Sequence, residues 1–143
     1  MIPTKPIILS CLIALGGCTT TTMTPSVSEA DLLHHNWKLV EIDGEVVNAS
    51  HQLNHPHLEI GEAMNSNGFS GCNNFMGKAE LVDDKFRIEQ LLSTKKACAE
   101  SMMQTESKML KTLGSWSEII INDQLLQLKG EHSVTFELSD WKL

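Results

Sequence analysis

The strongest constraint on the fold is an alternation of apolar and polar residues in several short segments. In the last of them, Val134, Phe136 and Leu138 alternate with polar neighbours. There are five other strand candidates. The first begins with Trp37 and Leu39, the second contains Leu58 and Ile60, and the third contains Phe86 and Ile88; the last two cover 119–121 and 125–128. A period of two predicts strands with one buried and one wet face, which favours antiparallel pairing.

Pairs of turn-forming residues separate these segments. The predicted hairpin turns are Asp43-Gly44, Asp83-Asp84, Asn122-Asp123 and Lys129-Gly130. Asp, Asn and Gly tolerate the positive φ angles that tight hairpins require, so these positions fit connections between neighbouring strands.

One segment, from about Ser101 to Leu113, has helical periodicity instead. Its apolar residues Met102, Met103, Met109, Leu110 and Leu113 fall on one helical face. Ser101 and Gln104 predict a capping box, and Gly114 suits the position after the last turn. The predicted fold class is α+β and β-rich: a strongly curved antiparallel sheet or partly open barrel with one inserted α-helix.

Glu106 lies in the middle of that apolar face, where an ionised carboxylate needs hydrogen-bond donors. The loop Gly71-Cys72-Asn73-Asn74-Phe75-Met76-Gly77 can supply them, since its Gly and Asn residues allow a tight connection. We therefore expect Gly71, Asn73, Gly77 and Glu106 to form a structural loop. Two alternatives remain open: Glu106 as a perturbed acid or base, and the loop N–H groups as a small anion site.

The N-terminus predicts a lipoprotein. Residues 1–17 read as a signal peptide, because Lys5 precedes an apolar run over 7–15 that is too short to span a bilayer. The run ends in Leu15-Gly16-Gly17-Cys18, a lipobox whose cysteine is acylated. Thr19, rather than Asp, after the cysteine is typical of sorting to the outer membrane. Residues 18–28 are then a polar tether, and residues 29–143 the domain.

Length and charge limit the remaining possibilities. The chain has 143 residues, 41% of them hydrophobic, which suits one globular domain. Its net charge of −7 argues against non-specific nucleic-acid binding, which needs clustered Lys and Arg. Composition alone names no function.

Two cysteines remain once Cys11 leaves with the signal peptide and Cys18 is acylated. In an oxidising envelope compartment, Cys72 and Cys98 are expected to form a disulfide. The alternative, two separately buried thiols, stays open because sequence gives no distance between them.

A histidine cluster, His51, His55, His57 and Glu59, is the best metal-like pattern in the chain. Pro56 breaks any helix that would place His51 and His55 on one face, so surface histidines in a loop are favoured over a ligand set. The sequence has no nucleophile elbow, Walker loop or dinucleotide fingerprint. We therefore predict no metal site, no cofactor and no enzymatic activity.

Three spaced motifs resemble the signature of the META-domain family. They are Gly71-Cys72-Asn73-x-Phe75-x-Gly77, Ser93-Thr94-x-x-Ala97-Cys98 and Glu106-x-x-x-Leu110-x-x-Leu113. The match extends from Trp37 to about Leu138. One departure is Lys78-Ala79 after Gly77, where many members carry an aromatic residue.

Within that family, the lipobox and the Leu33-His34-His35 run resemble the HslJ-type heat-shock lipoproteins. The resemblance implies a compact β-rich α+β domain, an envelope location and a link to stress or antibiotic tolerance. It supplies no established catalytic residues.

These observations predict an outer-membrane-anchored, periplasm-facing lipoprotein with a non-enzymatic binding or envelope-stress role. Its partner would be an envelope protein, a peptide or an acyl ligand, bound at a barrel mouth or a sheet edge. The alternative is a small metal-dependent or acid/base enzyme that uses His51, His55 and His57, or Glu106.

Overall fold

The computed structural model describes residues 26–48 and 55–140, which form an antiparallel barrel and one α-helix. The strands are β1 (His35–Ile42), β2 (Glu45–Val46), β3 (His57–Ile60), β4 (Asn65–Phe69), β5 (Asn74–Val82), β6 (Lys85–Ser93), β7 (Ser117–Asn122), β8 (Leu125–Lys129) and β9 (Ser133–Leu138). The helix α1 (Glu100–Leu113) lies between β6 and β7. The predicted α+β, β-rich fold with one inserted helix is confirmed.

The sheet closes on itself. From β3 to β9, each strand pairs antiparallel with the next along the chain, and β1 pairs with both β3 and β9. The closing register runs from Trp37 opposite Leu138 to Ile42 opposite Val134. The two-residue strand β2 pairs with β1 outside this ring. A curved sheet was expected, and the β1–β9 pairing completes it into an eight-stranded barrel.

Side chains fill the barrel. The buried apolar cluster includes one large residue or more from most strands, together with the helix residues Met109 and Leu113. Its large members include Trp37, Phe75, Phe86, Phe136, Leu39, Leu58, Ile60 and Ile88. An eight-stranded barrel has an interior just wide enough for side chains, so this interior is the hydrophobic core of the domain.

Strands β4 and β5 were not predicted. In β4, Ser66 and Gly68 face inward and alternate with exposed Asn65 and Asn67, so the inward positions carry no large apolar residue. Strand β5 begins at Asn74, which makes the β4–β5 connection only the four residues 70–73. The predicted loop was therefore too long at its C-terminal side.

The hairpin turns are close to their predicted positions. Asp43 and Gly44 connect β1 to β2, and Asp83 and Asp84 connect β5 to β6, all four with positive φ. The β7–β8 turn uses Asp123 and the residue after it, one position later than predicted. The β8–β9 connection covers residues 130–132.

The helix has the predicted extent but a different N-terminus. Its N-cap is Ala99, which makes no side-chain hydrogen bond, and Ser101 lies inside the first turn. The predicted capping box is therefore wrong. At the other end Gly114 follows the last turn and donates its N–H to the Leu110 carbonyl at 2.9 Å, as the sequence indicated.

The predicted apolar face of α1 is wrong in its N-terminal half. Met109 and Leu113 are buried, whereas Met102 and Met103 remain 40% and 46% exposed. The first turns face the β4–β5 connection, which presents polar partners rather than apolar ones. Among the described residues, no helix has the length and hydrophobicity to cross a membrane.

The up-and-down topology gives the barrel two distinct ends. The helix end holds α1, the β4–β5 connection and the β1–β2 and β8–β9 turns. Ion pairs from Lys108 to Asp43 and from Lys111 to Glu131 join α1 to these two turns. The tether end holds the N-terminal described residues, since the Val27 N–H donates to Asp84 in the β5–β6 turn at 2.7 Å. The candidate site lies at the helix end.

Candidate functional site

Asn73 is the centre of a hydrogen-bond cluster at the helix end, and only 2% of its surface is exposed. Its backbone N–H donates to Glu106 Oε2 at 2.8 Å, and its Nδ2 donates to Glu106 Oε1 at 2.9 Å and to the Lys96 carbonyl at 3.2 Å. Its Oδ1 accepts from Thr94 Oγ1 at 2.9 Å and from the Lys96 N–H at 2.6 Å. Both donors and the acceptor of this buried amide are therefore satisfied.

Ser70 completes this group, which we call the Asn73 cluster: Ser70, Asn73, Thr94, Lys96 and Glu106. The Ser70 side chain is fully buried, with Oγ 2.5 Å from Glu106 Oε2 and 2.8 Å from the Asn73 carbonyl. The Ser70 N–H also donates to the Asn73 carbonyl, at 2.9 Å. These bonds close the four-residue connection on itself.

Glu106 contacts the predicted loop through Asn73, but one of its donors, Ser70, lies just before that loop. The carboxylate accepts one backbone N–H, from Asn73, and its other donors are the Ser70 hydroxyl and the Asn73 side-chain amide. The alternative of an anion site in this loop is explained by the same geometry, because the anion that the Asn73 N–H binds is the Glu106 carboxylate.

The two glycines of the predicted loop have different roles. Gly71 lies in the connection with a φ of +108°, which a residue with a Cβ atom rarely adopts. Gly77 lies within β5, so its assignment to the loop is wrong. A Cβ atom at Gly77 would overlap Ile88 and would lie 2.9 Å from the Glu89 carbonyl, where β6 has a register shift. Gly77 thus permits the close approach of β6.

A disulfide joins Cys72 to Cys98, with an S–S distance of 2.08 Å and Cα atoms 5.8 Å apart. The predicted pairing is confirmed, and the alternative of two separate thiols is wrong. The bridge connects the β4–β5 connection to the segment between β6 and α1. It therefore links the same two segments that Asn73 joins by hydrogen bonds to Thr94 and Lys96.

The histidines in the described part of the predicted cluster bond to main-chain carbonyls. His55 Nε2 donates to the Leu39 carbonyl at 2.6 Å, and His57 Nδ1 donates to the His55 carbonyl at 2.9 Å. Within 26–48 and 55–140, no three His, Cys, Asp or Glu side chains are grouped as a metal site would require. His51 and the lipobox residue Cys18 lie outside the described residues.

Burial lowers the pKa of His55 from its ordinary value of 6.5, because the half-buried ring loses hydration when charged. The hydrogen bond to Leu39 acts in the opposite direction and is the smaller effect, while the charges of Lys38 and His57 lower the pKa further.

A second polar group ties α1 to the turns beside it. Asp43 accepts from the Ser133 N–H at 3.0 Å, from His132 Nδ1 at 2.9 Å and from Lys108 Nζ at 3.2 Å. The hydrogen bond from the Ser133 N–H is the largest cause of a lowered Asp43 pKa, because it stabilises the charged carboxylate.

A shallow groove of about 430 Å³ opens beside the Asn73 cluster, between α1 and the C-terminal end of β6. It is lined by Ser93, Lys95, Met103, Glu106, Ser107, Leu110 and Lys111. The groove combines two apolar side chains, two lysines and two hydroxyls with the Glu106 carboxylate, whose oxygens are engaged by Ser70 and Asn73. Its two lysines and its apolar side chains suit a ligand with both apolar and anionic groups.

Sequence reasoning missed Ser70 and the backbone of Lys96. A single serine beside a Gly-Asn loop carries no pattern of its own, although Ser, Gly and Asn together are typical of tight connections. The lysine takes part only through its N–H and C=O, for which its side chain gives no signal.

The family model described as META domain matches residues 30–141 of the chain. Comparison with curated proteins finds no match.

Two solved structures share the fold. One, described as the NMR structure of the protein, has a TM-score of 0.71 at 24% identity and covers 82% of this chain and 99% of its own. The other is an NMR structure of a protein from Burkholderia xenovorans. It has a TM-score of 0.65 at 24% identity, and the match covers 90% of this chain and 99% of the other. Similarity at this level of identity concerns the fold alone.

Replacing Glu106 should destabilise the domain. Glu106→Ala removes the acceptor for the Ser70 and Asn73 donors and should lower the free energy of unfolding by about 1–3 kcal/mol, measured by urea denaturation. Glu106→Gln keeps one acceptor oxygen and should cost less. Glu100→Ala, on the same helix but exposed, is the matched control and should change stability by only a few tenths of a kcal/mol. Equal stability of wild type and Glu106→Ala would contradict the structural role.

His55 should make stability depend on pH. Because its pKa is lower in the folded state, the unfolded chain binds the proton more tightly. The contribution of His55 is therefore fully present above the unfolded pKa of about 6.5 and is lost as the pH falls below it. Between about pH 7.5 and pH 5.5, wild type should lose more unfolding free energy than His55→Gln, which can still donate to Leu39. Identical losses in the two proteins would show that His55 is not responsible.

Proposed function

The chain belongs to the META-domain family, and from this membership we propose that it is a non-enzymatic binding protein of the cell envelope. In this proposal it is acylated at Cys18, anchored in the outer membrane and faces the periplasm. Its domain presents a rigid outer surface to an envelope partner.

The proposal rests on one observation: Glu106 and Asn73, the most distinctive polar residues of the domain, make their hydrogen bonds within the protein. Glu106 receives three donors on its two oxygens, and the polar atoms of Asn73 are all engaged inside the protein. A general acid or base needs a free lone pair or proton directed at a substrate. A carboxylate surrounded by internal donors is suited to fixing a surface rather than to proton transfer.

The filled barrel supports binding on the outside of the domain. Trp37, Phe86 and Phe136 occupy the interior with other apolar side chains, so a ligand meets turns, the helix and the outer faces of the strands. The Cys72–Cys98 disulfide suits the oxidising compartment that the proposal requires.

The anchor follows from the sequence of the N-terminus. Leu15-Gly16-Gly17 before Cys18 fits lipoprotein processing, and the polar residues up to Ser28 fit a tether. Similarity to the HslJ-type lipoproteins adds the proposal that the protein acts in heat shock or antibiotic tolerance.

Substitution of Cys18 tests the anchor. Cys18→Ala should leave an unprocessed precursor that incorporates no palmitate and no longer fractionates with the outer membrane. Cys11→Ala, a cysteine change within the signal peptide, is the control and should leave labelling intact. The Cys18→Ala strain should also lose whatever heat tolerance the wild-type gene restores to a deletion strain. Palmitate incorporation that survives in Cys18→Ala would overturn the proposed anchor.

A further inference from the structure

Strand β6 has a free edge over its C-terminal half. It pairs with β7 only at Lys85 and Phe86, opposite Glu118 and Ser117, whereas on its other side it pairs with β5 as far as Ser93. The register shift opposite Gly77, with Gln90 at a φ of +50°, marks a bulge in β6. The pairing with β7 stops at Phe86 because β7 begins at Ser117, after α1, and the bulge then bends the unpaired part of β6.

The backbone of Ser93 points to this open side. The Thr94 N–H donates to the Asn74 carbonyl at 3.0 Å, toward β5. Because successive residues of a strand direct their N–H and C=O groups to opposite sides, those of Ser93 point away from β5. Among the described residues, no strand lies there to pair with them.

The groove beside α1 borders this edge. Ser93 and Lys95 form one wall, and residues from Met103 to Lys111 on α1 form the other. Eight helical steps from Met103 to Lys111 span about 12 Å. That length accommodates about four residues of an extended chain.

The charge of the groove differs from that of the whole protein. Its lining contains two lysines and one glutamate, while the complete chain has a net charge of −7. Among the described residues Lys95 forms no ion pair, and Lys111 has only an exposed contact with Glu131 at 3.2 Å. Glu106 keeps its negative charge, but both of its oxygens accept hydrogen bonds from Ser70 and Asn73 inside the protein. The groove therefore favours an acidic ligand.

Its position favours a partner in solution over the membrane. The groove lies at the helix end of the barrel, whereas Val27, the second of the described residues, is bound at the tether end. An anchor at Cys18 would leave the groove on the side opposite the point where the chain enters the domain.

We propose that an extended acidic peptide segment of a partner protein binds in this groove as an added strand along β6 at Leu91–Ser93. Its backbone pairs with Ser93, its apolar side chains contact Met103 and Leu110, and its carboxylates approach Lys95 and Lys111. Addition of a strand to a free sheet edge is a general mode of peptide recognition. The inference rests on the proposed binding role and names the class of partner.

The probe is a fluorescein-labelled hexapeptide of alternating Glu and Leu, with the Lys-Leu peptide as its opposite-charge counterpart. Fluorescence anisotropy measures binding of the peptide to the mature protein. The protein is held in neutral phosphatidylcholine nanodiscs if it is acylated, and is dissolved in buffer if it is not. The Glu-Leu peptide should bind saturably and the Lys-Leu peptide should not. Two further peptides carry N-methyl groups on alternate backbone nitrogens, one on the odd positions and one on the even positions. Only one of these sets faces β6, so one of the two peptides should bind at least about tenfold more weakly because it has lost the strand hydrogen bonds. Absence of binding, or equal affinity of both methylated sets and the parent peptide, would overturn the inference.

Charge reversal locates the site. Lys95→Glu should weaken binding of the Glu-Leu peptide about fivefold, a typical effect for an exposed charge pair. Lys85→Glu makes the same change at the other end of β6 and should leave affinity unchanged. Equal weakening by the two variants would indicate general electrostatic attraction and contradict the groove. The titration does not depend on acylation, so failure of the anchor and failure of peptide binding are separate results.

Discussion

The hydrogen bonds between Asn73 and Glu106 hold together the three segments that close one end of the barrel. They join the β4–β5 connection to α1, and the same asparagine side chain binds Thr94 and Lys96 in the segment before the helix. The disulfide from Cys72 to Cys98 reinforces one of these links covalently. Each buried donor left without a partner would cost about 1–3 kcal/mol, so the group acts as a unit.

The closed barrel determines where function can lie. Pairing of β1 with β9 closes the sheet, and among the described strands the short β2 and the C-terminal parts of β6 and β7 keep a free edge. The β6 edge exists because α1 interrupts the chain between β6 and β7, and the Asn73 cluster fixes α1 beside it. The residues that hold the structure thus also create the groove.

The sequence predicted those elements whose buried face is apolar. Alternation identified β1, β3, β6 and β9 because a period of two places every second side chain in the core. It failed for β4, where Ser66 and Gly68 face inward without a large apolar side chain. The need of Glu106 for donors was predicted from its place among apolar residues, although only the C-terminal half of that face is buried in the structure. Ser70 and the exposure of Met102 and Met103 depend on how the helix meets the connection, which local sequence does not encode.

Native-state hydrogen exchange of the Asn73 backbone amide is the most direct test of this account. If the Asn73 cluster holds the helix end closed, this N–H, bonded to Glu106 Oε2, should exchange only when the whole domain unfolds. Its opening free energy should then equal the free energy of unfolding from chemical denaturation. Exchange through a local opening at a much lower free energy, with the rest of the barrel still protected, would contradict the central role of the cluster.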